Sequence, residues 1–205
     1  RLVIPIIMGT FLVIGLVLLL GIRATAQSSL TQSHRDQIAE MVDNVSTEFR
    51  RSSADLIALV EARDTRDFAR ETLLNLSSLS FADTQTRLLG NFSDLLQTHP
   101  NYLAVRYVTF NGSIWSQVTN YDNMIPRAEA GVKLGVFASD PLLSQALSGA
   151  PENVVASEIL FPSEADGLTP AASVPFIRLY APVAPDSSFD GNVAGVIQLD
   201  VTAES

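Results

Sequence analysis

Arginine, aspartate, tyrosine and tryptophan side chains in the second half of the chain are the residues best suited to binding a small molecule. An arginine can contact a carboxylate through two hydrogen bonds, and an aspartate can hold an ammonium group. A ligand site also needs apolar side chains that exclude water. The candidate ligand-binding residues are Trp115, Tyr121, Asp122, Arg127, Arg178 and Tyr180.

Each candidate also has a purely structural interpretation. Trp115 occupies an alternating position of a strand-like segment, where a large aromatic residue commonly belongs to the core. Arg178, like Arg106, lies within an apolar strand-like segment, where an arginine usually points outward into solvent. Arg127 and Asp122 fall in a loop-like segment and can be surface residues. Both interpretations stay open from the sequence alone.

The sequence lacks the motifs of common enzyme sites. It has no cysteine, which excludes disulfides, thiolate metal sites and a cysteine nucleophile. The two histidines, His34 and His99, lie far apart and outside any ligand-spaced motif. No serine-hydrolase elbow, phosphate-binding loop, zinc helix or calcium loop is present. We therefore expect no catalytic residue, no metal and no cofactor in this segment.

The charge balance limits the partners of the protein. The 205 residues include 13 basic and 22 acidic side chains, for a formal net charge of −9. An acidic protein repels the phosphate backbone of nucleic acids. The composition thus argues against nucleic-acid binding.

The first residues form a long apolar segment. Residues 2–22 read LVIPIIMGTFLVIGLVLLLGI, in which Thr10 is the one conventional polar side chain. A helix of this length spans roughly 30 Å, the thickness of the hydrocarbon core of a bilayer. We therefore predict a transmembrane helix within residues 1–23. The alternative is a cleaved signal peptide, since residues 24–26 (Ala-Thr-Ala) have the form of a cleavage site, but apolar signal segments are shorter.

The segment after the apolar start has a helical pattern. Apolar residues recur at helical spacing, and neither proline nor glycine occurs between Ile22 and Arg87. The pattern predicts a long helical rod over residues 24–62 and further helices over residues 67–76 and 84–98. The apolar stripe of the rod is narrow, which suits a seam with a partner helix. It could equally cover the protein's own domain, and both can hold along different stretches.

The pattern changes to strands near residue 100. Residues 102–110 and 113–120 are rich in β-branched and aromatic residues and are joined by Asn111-Gly112, a strong hairpin signal. A loop region with Pro126 follows, and then a short helix is predicted over residues 139–147. Three more strands are predicted over residues 153–160, 176–183 and 192–201. The fold class expected is α+β: a transmembrane helix continuing into a long helix, then a five-stranded antiparallel sheet with short flanking helices.

This order of elements resembles the Cache family, the PAS-like extracellular sensor domains of bacterial receptors. Residues 102–112 (YLAVRYVTFNG) resemble the first hairpin of the membrane-distal module of double-Cache sensors. Residues 175–183 (PFIRLYAPV) resemble the fourth strand and residues 191–201 (GNVAGVIQLDV) the last strand. The strand after the hairpin turn departs from the family, with Trp115 and Gln117 where many members have a charged residue and an arginine. The chain also lacks the Arg-x-Trp-Tyr pattern of members that bind amino acids, which argues against a free amino acid as ligand.

The resemblance implies both a site and a domain organisation. The ligand pocket of the family lies on the concave face of the sheet, under the loop between the second and third strands, and the six candidate residues lie in or beside the elements that would frame it. Residues 1–23 would be the transmembrane helix, residues 24–99 the helical stalk with helices packed on the sensor, and residues 100–205 the sensor domain. A second, membrane-proximal module would follow the end of this chain.

The function implied by the resemblance is that of an extracytoplasmic small-molecule sensor module of a transmembrane receptor. The output domain, of histidine kinase, chemoreceptor or cyclic-dinucleotide type, would lie outside this chain. The apolar residues 2–22 would anchor such a receptor in the inner or plasma membrane, and the narrow stripe of the long helix predicts a homodimer. The alternative is a membrane-tethered structural or protein-interaction domain without a ligand.

Overall fold

The computed structural model describes residues 39, 43–74, 79–120, 126–133, 136–150, 153–161, 174–185 and 193–202. The chain divides into two units, residues 1–49 and residues 50–205. Of the first unit, residue 39 and residues 43–49 are described, and they are helical. The fold described below is that of the second unit.

The expected transmembrane helix is not part of the described structure. Residues 1–23 lie outside the described residues, and no described helix has both the length and the apolar character that crossing a bilayer requires. The described helices are amphipathic instead, with one apolar face and polar residues elsewhere. The fold class is corrected on this point: the described fold starts with amphipathic helices that pack against a sheet.

Helices that pack on one face of the sheet form the first part of the second unit. They are α1 (residues 50–61), α2 (Arg63–Leu73) and α3 (Leu79–Thr98). Ala62 has an extended backbone (φ −57°, ψ 139°) between α1 and α2, so α1 ends within one residue of the predicted end of the rod. The first half of that rod lies mostly outside the described residues.

The apolar faces of these helices form the main core with the sheet. Leu88, Phe92 and Leu96 recur every four residues along α3, so they lie on one side of the helix, and each is fully buried. Leu56 of α1 is also fully buried in the same core. In this part of the chain the apolar stripe therefore covers the protein's own domain.

A six-stranded antiparallel sheet forms the rest of the unit, in the order β3-β2-β1-β6-β5-β4. The strands are β1 (Tyr102–Thr109), β2 (Ile114–Thr119), β3 (Arg127–Lys133), β4 (Val155–Leu160), β5 (Phe176–Val183) and β6 (Gly195–Thr202). A short helix, α4 (Pro141–Leu147), lies between β3 and β4 in the chain. The last described strand in sequence, β6, is central in the sheet, between β1 and β5.

The predicted five-stranded sheet is wrong, because the sheet has a sixth strand, β3. The sequence of β3, RAEAGVK, contains small and charged residues in place of an apolar alternation. Residues 127–131 are all exposed, so no buried face imposes an apolar pattern on them. The strand is defined by its backbone pairing with β2 at the edge of the sheet, which composition alone does not indicate.

The predicted hairpin at Asn111-Gly112 joins β1 and β2. Gly112 has φ +77°, a conformation that favours glycine. Its amide donates to the Thr109 carbonyl oxygen at 2.9 Å, and Oδ1 of Asn111 accepts from the Ser113 amide at 3.1 Å. The turn also contacts the segment before α4, because the Phe137 amide donates to the Gly112 carbonyl oxygen at 2.9 Å.

The two faces of the sheet are covered by different elements. Tyr107, Leu179, Ile197 and Leu199 belong to the core shared with α1, α2 and α3. On the opposite face, α4 and the turn before it contribute to a second apolar cluster, which contains Phe137, Leu143, Ala146, Val108, Ile114, Tyr180 and Val196. We call residues 136–147 the covering segment. Functional residues on this second face therefore lie between the sheet and the covering segment or beside it.

Candidate functional site

Polar side chains on the face opposite the long helices continue from strand to strand. In the antiparallel register, Arg106 of β1 is opposite Gln117 of β2 and Gln198 of β6. Residues directly opposite each other in a sheet share one face, so their side chains lie together. The same holds for Arg178 opposite Asp200 and for Tyr180 opposite Gln198. We call the buried residues of this set the polar row: Arg106, Gln117, Arg178, Tyr180, Gln198 and Asp200.

Asp200 is the acceptor at the centre of the polar row. Its Oδ2 accepts from Nη1 of Arg106 at 2.6 Å and from Nη2 of Arg178 at 3.3 Å. Its Oδ1 accepts from Nε of Arg178 at 2.8 Å and from Nε2 of Gln198 at 3.1 Å. A carboxylate offers about four acceptor positions. These hydrogen bonds therefore use the whole capacity of Asp200.

The arginines keep Asp200 ionised although it is fully buried. Burial alone would raise the pKa of its carboxyl group, because desolvation penalises the charged form. The charges of Arg106 and Arg178 and their hydrogen bonds outweigh this effect and lower the pKa from 3.8 to about 2. The group is thus a permanent carboxylate at any physiological pH.

Arg178 also binds the covering segment to the sheet. Its guanidinium carbon lies 5.0 Å from the centre of the Phe137 ring and 5.4 Å from the centre of the Phe176 ring. Both distances are within the range of cation–π attraction. Phe137 belongs to the covering segment and Phe176 to β5, so the cation connects the two.

Tyr180 makes a second link to the covering segment. Its hydroxyl donates to Oδ2 of Asp140, while Oδ1 of Asp140 accepts from the Leu142 amide at 2.9 Å and caps α4. Burial raises the pKa of the Tyr180 hydroxyl, so the group stays protonated and remains a donor. One carboxylate thereby joins the start of α4 to β5.

Gln117 and Gln198 differ in how their amides are satisfied. Nε2 of Gln117 donates to Oε2 of Glu129, on the edge strand β3, at 2.6 Å. Gln198 is fully buried between Arg106 and Tyr180, and its Nε2 donates to Asp200. Its Oε1 is buried and accepts no hydrogen bond from the described residues. It is one of seven buried side-chain atoms in the described part of the chain for which no partner is found, whereas buried polar groups usually have one.

The six residues proposed from the sequence fall in different places. Arg178 and Tyr180 are in the polar row. Arg127 is exposed on β3 but shares the face of the polar row, because it is opposite Thr119 in register. Tyr121 and Asp122 lie outside the described residues.

Trp115 packs toward the long helices rather than into the polar row. Its ring meets the Phe81 ring edge-on, with centres 5.6 Å apart, and its carbonyl oxygen accepts from Nε2 of Gln85 of α3 at 3.0 Å. An irregularity of the pairing between β1 and β2 lies next to it, where Val108 is opposite Ile114. The contacts of Trp115 therefore agree with its structural interpretation, in which the ring packs in the core instead of binding a ligand.

Sequence reasoning missed Gln198, Asp200 and Asp140, and it treated Arg106 mainly as an outward-pointing residue. Arg106 and Arg178 are only 2% and 4% exposed. The signal was present: two arginines and an aspartate lie within apolar strands, where opposite charges are tolerated if they pair. Among the described residues, no group of three or more histidine and acidic side chains could hold a metal ion.

Comparison with known proteins gives a likeness of fold. No protein-family profile and no curated sequence matches the chain. A solved domain of a protein assigned to the sensory box/GGDEF family of Vibrio parahaemolyticus is similar, with a TM-score of 0.59 and 17% identity, over 80% of this chain and 58% of that chain. The solved extracellular domain of a protein assigned as a histidine kinase, vpHK1S-Z8, has a TM-score of 0.58 and 17% identity, over 80% of this chain and 55% of that chain.

The predicted likeness of fold is confirmed: the chain has the fold of these solved sensory domains. At 17% identity it establishes the fold alone. The chain spans somewhat more than half the length of these two solved domains.

Proposed function

We propose that the chain is an extracytoplasmic small-molecule sensor module of a signalling receptor, and that the polar row is its ligand site. The fold supports this proposal, because the two similar solved domains described above come from a GGDEF-family sensory protein and from the extracellular part of a protein assigned as a histidine kinase. The output domain would lie in a longer protein, of which this chain is the sensing part.

The observation that carries the proposal is the burial of a charged row on one face of the sheet. Arg106, Arg178 and Asp200 are each at most 4% exposed. Burying such a group costs desolvation free energy, and apolar residues of similar volume are often equally stable or more stable there. The charged row is therefore better explained by recognition of a polar ligand than by stability.

The covering segment supports a sensing role. Phe137 and Asp140 hold it to Arg178 and Tyr180, two residues of the polar row. A ligand that contacts these residues would change the position or rigidity of the covering segment, which is the differential interaction that a conformational signal needs. We propose this segment as the element that responds to the ligand.

Pairing with a second copy is a further part of the proposal. Val45 and Phe49 are spaced one helical turn apart in the first unit and are 51% and 37% exposed. Exposed apolar residues at this spacing suit a seam with a partner helix. Analytical ultracentrifugation of the chain and of Val45→Glu would test the predicted homodimer, which the substitution should weaken.

Two buried tyrosines on opposite faces allow a direct test of the site. Tyr180 donates to Asp140 on the polar face, and Tyr107 shares a hydrogen bond of 3.1 Å with Thr72 on the helix face. The 205-residue chain would be screened against a metabolite panel by thermal shift, and hits would be measured by calorimetry. We expect Tyr180→Phe to weaken ligand binding and Tyr107→Phe to leave it unchanged. Equal effects of the two variants, or no ligand in the panel, would count against this site.

A protein-interaction module is the second candidate function. The edge strand β4 and the residue after it expose two large apolar side chains, Ile159 at 57% and Phe161 at 71%. Exposed apolar residues on a sheet edge favour pairing with another chain. If Ile159→Lys abolished receptor signalling without changing ligand binding, a docking role for this edge would be supported.

A further inference from the structure

We propose that the polar row recognises an uncharged small molecule, which donates a hydroxyl or amide hydrogen to Oε1 of Gln198. This inference rests on the proposed sensor function and adds the chemical class of the ligand. It depends on three features: the orientation of the Gln198 amide, the saturation of Asp200, and the balance of charge on the face.

The orientation of the Gln198 amide follows from its neighbour. Asp200 is ionised and can only accept hydrogen bonds, so the atom of Gln198 that faces it must be the nitrogen. An exchange of the amide nitrogen and oxygen would bring two acceptors together. The oxygen therefore points away from Asp200, and it is the buried atom that accepts nothing from the described residues.

The saturation of Asp200 argues against a ligand held by an ammonium group. All of its acceptor capacity is used by Arg106, Arg178 and Gln198. An amine or an amino acid would have to displace one of these donors, and displacing a guanidinium N–H would leave part of a buried cation unsatisfied. Oε1 of Gln198, in contrast, accepts a hydrogen bond at no such cost.

The charge on this face is balanced among the described residues. The ionisable side chains of this face that are not exposed to solvent are Arg106, Arg178, Asp140 and Asp200, which are two cations and two anions. Both carboxylates accept a hydrogen bond from a protein side chain. A net charge on the ligand would therefore be an extra buried charge, which is costly. A neutral ligand avoids this cost.

The test compares ligands of one size that differ in charge. The 205-residue chain would be titrated by calorimetry with L-lactamide, L-lactate, L-alanine and L-alaninamide, which share a three-carbon skeleton. Larger neutral probes would be glycerol, myo-inositol and D-glucose, and putrescine and succinate would be their charged counterparts. We expect binding by a neutral compound and weaker or no binding by its charged relatives.

Gln198→Met keeps the length of the side chain and removes the acceptor. We expect it to weaken binding of the neutral compound about five- to tenfold, the usual effect of one hydrogen bond. Gln85→Met is the matched control, because Gln85 contacts Trp115 and Ser116 on the opposite face. The affinity of this variant for the neutral compound should change less than twofold. If Gln198→Met does not fold, Gln198→Asn withdraws the carbonyl by one methylene and should weaken binding similarly.

The possible outcomes separate this inference from the proposed function. Tightest binding by an amine, an amino acid or a carboxylate would overturn the ligand class and leave the sensor function standing. Unchanged affinity of Gln198→Met for a neutral ligand would overturn the role of Oε1. Failure of all compounds of every class to bind would contradict the sensor function itself.

Discussion

Tyr102 donates its hydroxyl hydrogen to Oδ2 of Asp55 at 2.6 Å and so joins the start of β1 to α1. The His99 ring packs on the Tyr102 ring with centres 4.7 Å apart, and its Nε2 lies 3.5 Å from the same oxygen of Asp55. On the other side of His99, Nδ1 is 3.1 Å from Nη2 of Arg51. This cluster is the polar contact between the helices and the sheet at the end of α3.

Tyr102→Phe should lower the free energy of unfolding by about 1–3 kcal/mol, because a hydrogen bond to a charged acceptor is lost. Tyr107→Phe is the control, since its partner Thr72 is neutral and the expected loss is about 1 kcal/mol. Urea denaturation of the two variants measures both values. A smaller loss for Tyr102→Phe than for Tyr107→Phe would contradict the importance of the Asp55 contact.

The stability of the protein should fall in acid because of Asp200. Folding lowers the pKa of this carboxyl group from 3.8 to about 2, so its contribution to stability is present above about pH 4 and is lost as the pH falls toward 2. The difference between the two pKa values corresponds to roughly 2 kcal/mol. Urea denaturation at pH 7, 4, 3 and 2 should show a loss of that order below pH 4.

Asp200→Asn provides the control for this pH dependence. At pH 7 the variant should be less stable by about 3–5 kcal/mol, because buried arginines lose their carboxylate. Between pH 4 and pH 2 the free energy of unfolding should fall less in the variant than in the unmodified protein. The difference between the two losses should be roughly 2 kcal/mol. Parallel pH profiles for the two proteins would assign the acid sensitivity to other groups.

Arg178→Lys should destabilise the protein although the charge is kept. A lysine cannot reproduce the two contacts of the guanidinium with Asp200 or its planar packing between Phe137 and Phe176. We expect a loss of about 2–4 kcal/mol. Arg63→Lys is the matched control: Arg63 pairs with Asp67 at 3.4 Å but its side chain is 92% exposed, so thermal denaturation should show almost no change.

Gly112→Ala should destabilise the hairpin turn severely. A Cβ atom there would lie 2.2 Å from the backbone nitrogen of Ala138, and the positive φ of 77° adds strain for any other residue. We expect a loss of about 3 kcal/mol or more. The added Cβ of Gly90→Ala, in α3, would meet no other part of the described protein within 4 Å beyond its own helix turn, so this variant should instead be more stable by up to about 1 kcal/mol.

Local sequence signals predicted the elements that depend on local physics. The Asn111-Gly112 turn was recognisable because a positive φ needs a particular residue type, and the short helix predicted over residues 139–147 is present as α4. Arg178 and Tyr180 were identified as candidates because they combine polar groups with strand-like surroundings. The sequence lacked a comparable signal for β3, whose exposed residues follow no apolar pattern.

The polar row itself depends on contacts between distant parts of the chain. Arg106 and Asp200 are 94 residues apart, and they meet because β1 and β6 are neighbours in the sheet. Strand order is a property of the tertiary structure, and periodicity along one strand does not reveal it. Of the two interpretations left open for Arg106, the solvent-facing one does not hold: the residue is buried beside a partner that the local sequence cannot indicate.

Because β6 is central in the sheet and is its last strand in sequence, the sheet cannot be completed before β6 is present. The strands β1, β2 and β3 form one half of the sheet and β4 and β5 the other, and β6 alone pairs with both halves. Until residues 195–202 have been synthesised, no strand joins the two halves by hydrogen bonds. Arg106 and Arg178 also lack their common acceptor, Asp200, until then. Such long-range pairing slows folding. The polar row is therefore complete only after β6, the last described strand of the chain, has joined both halves of the sheet.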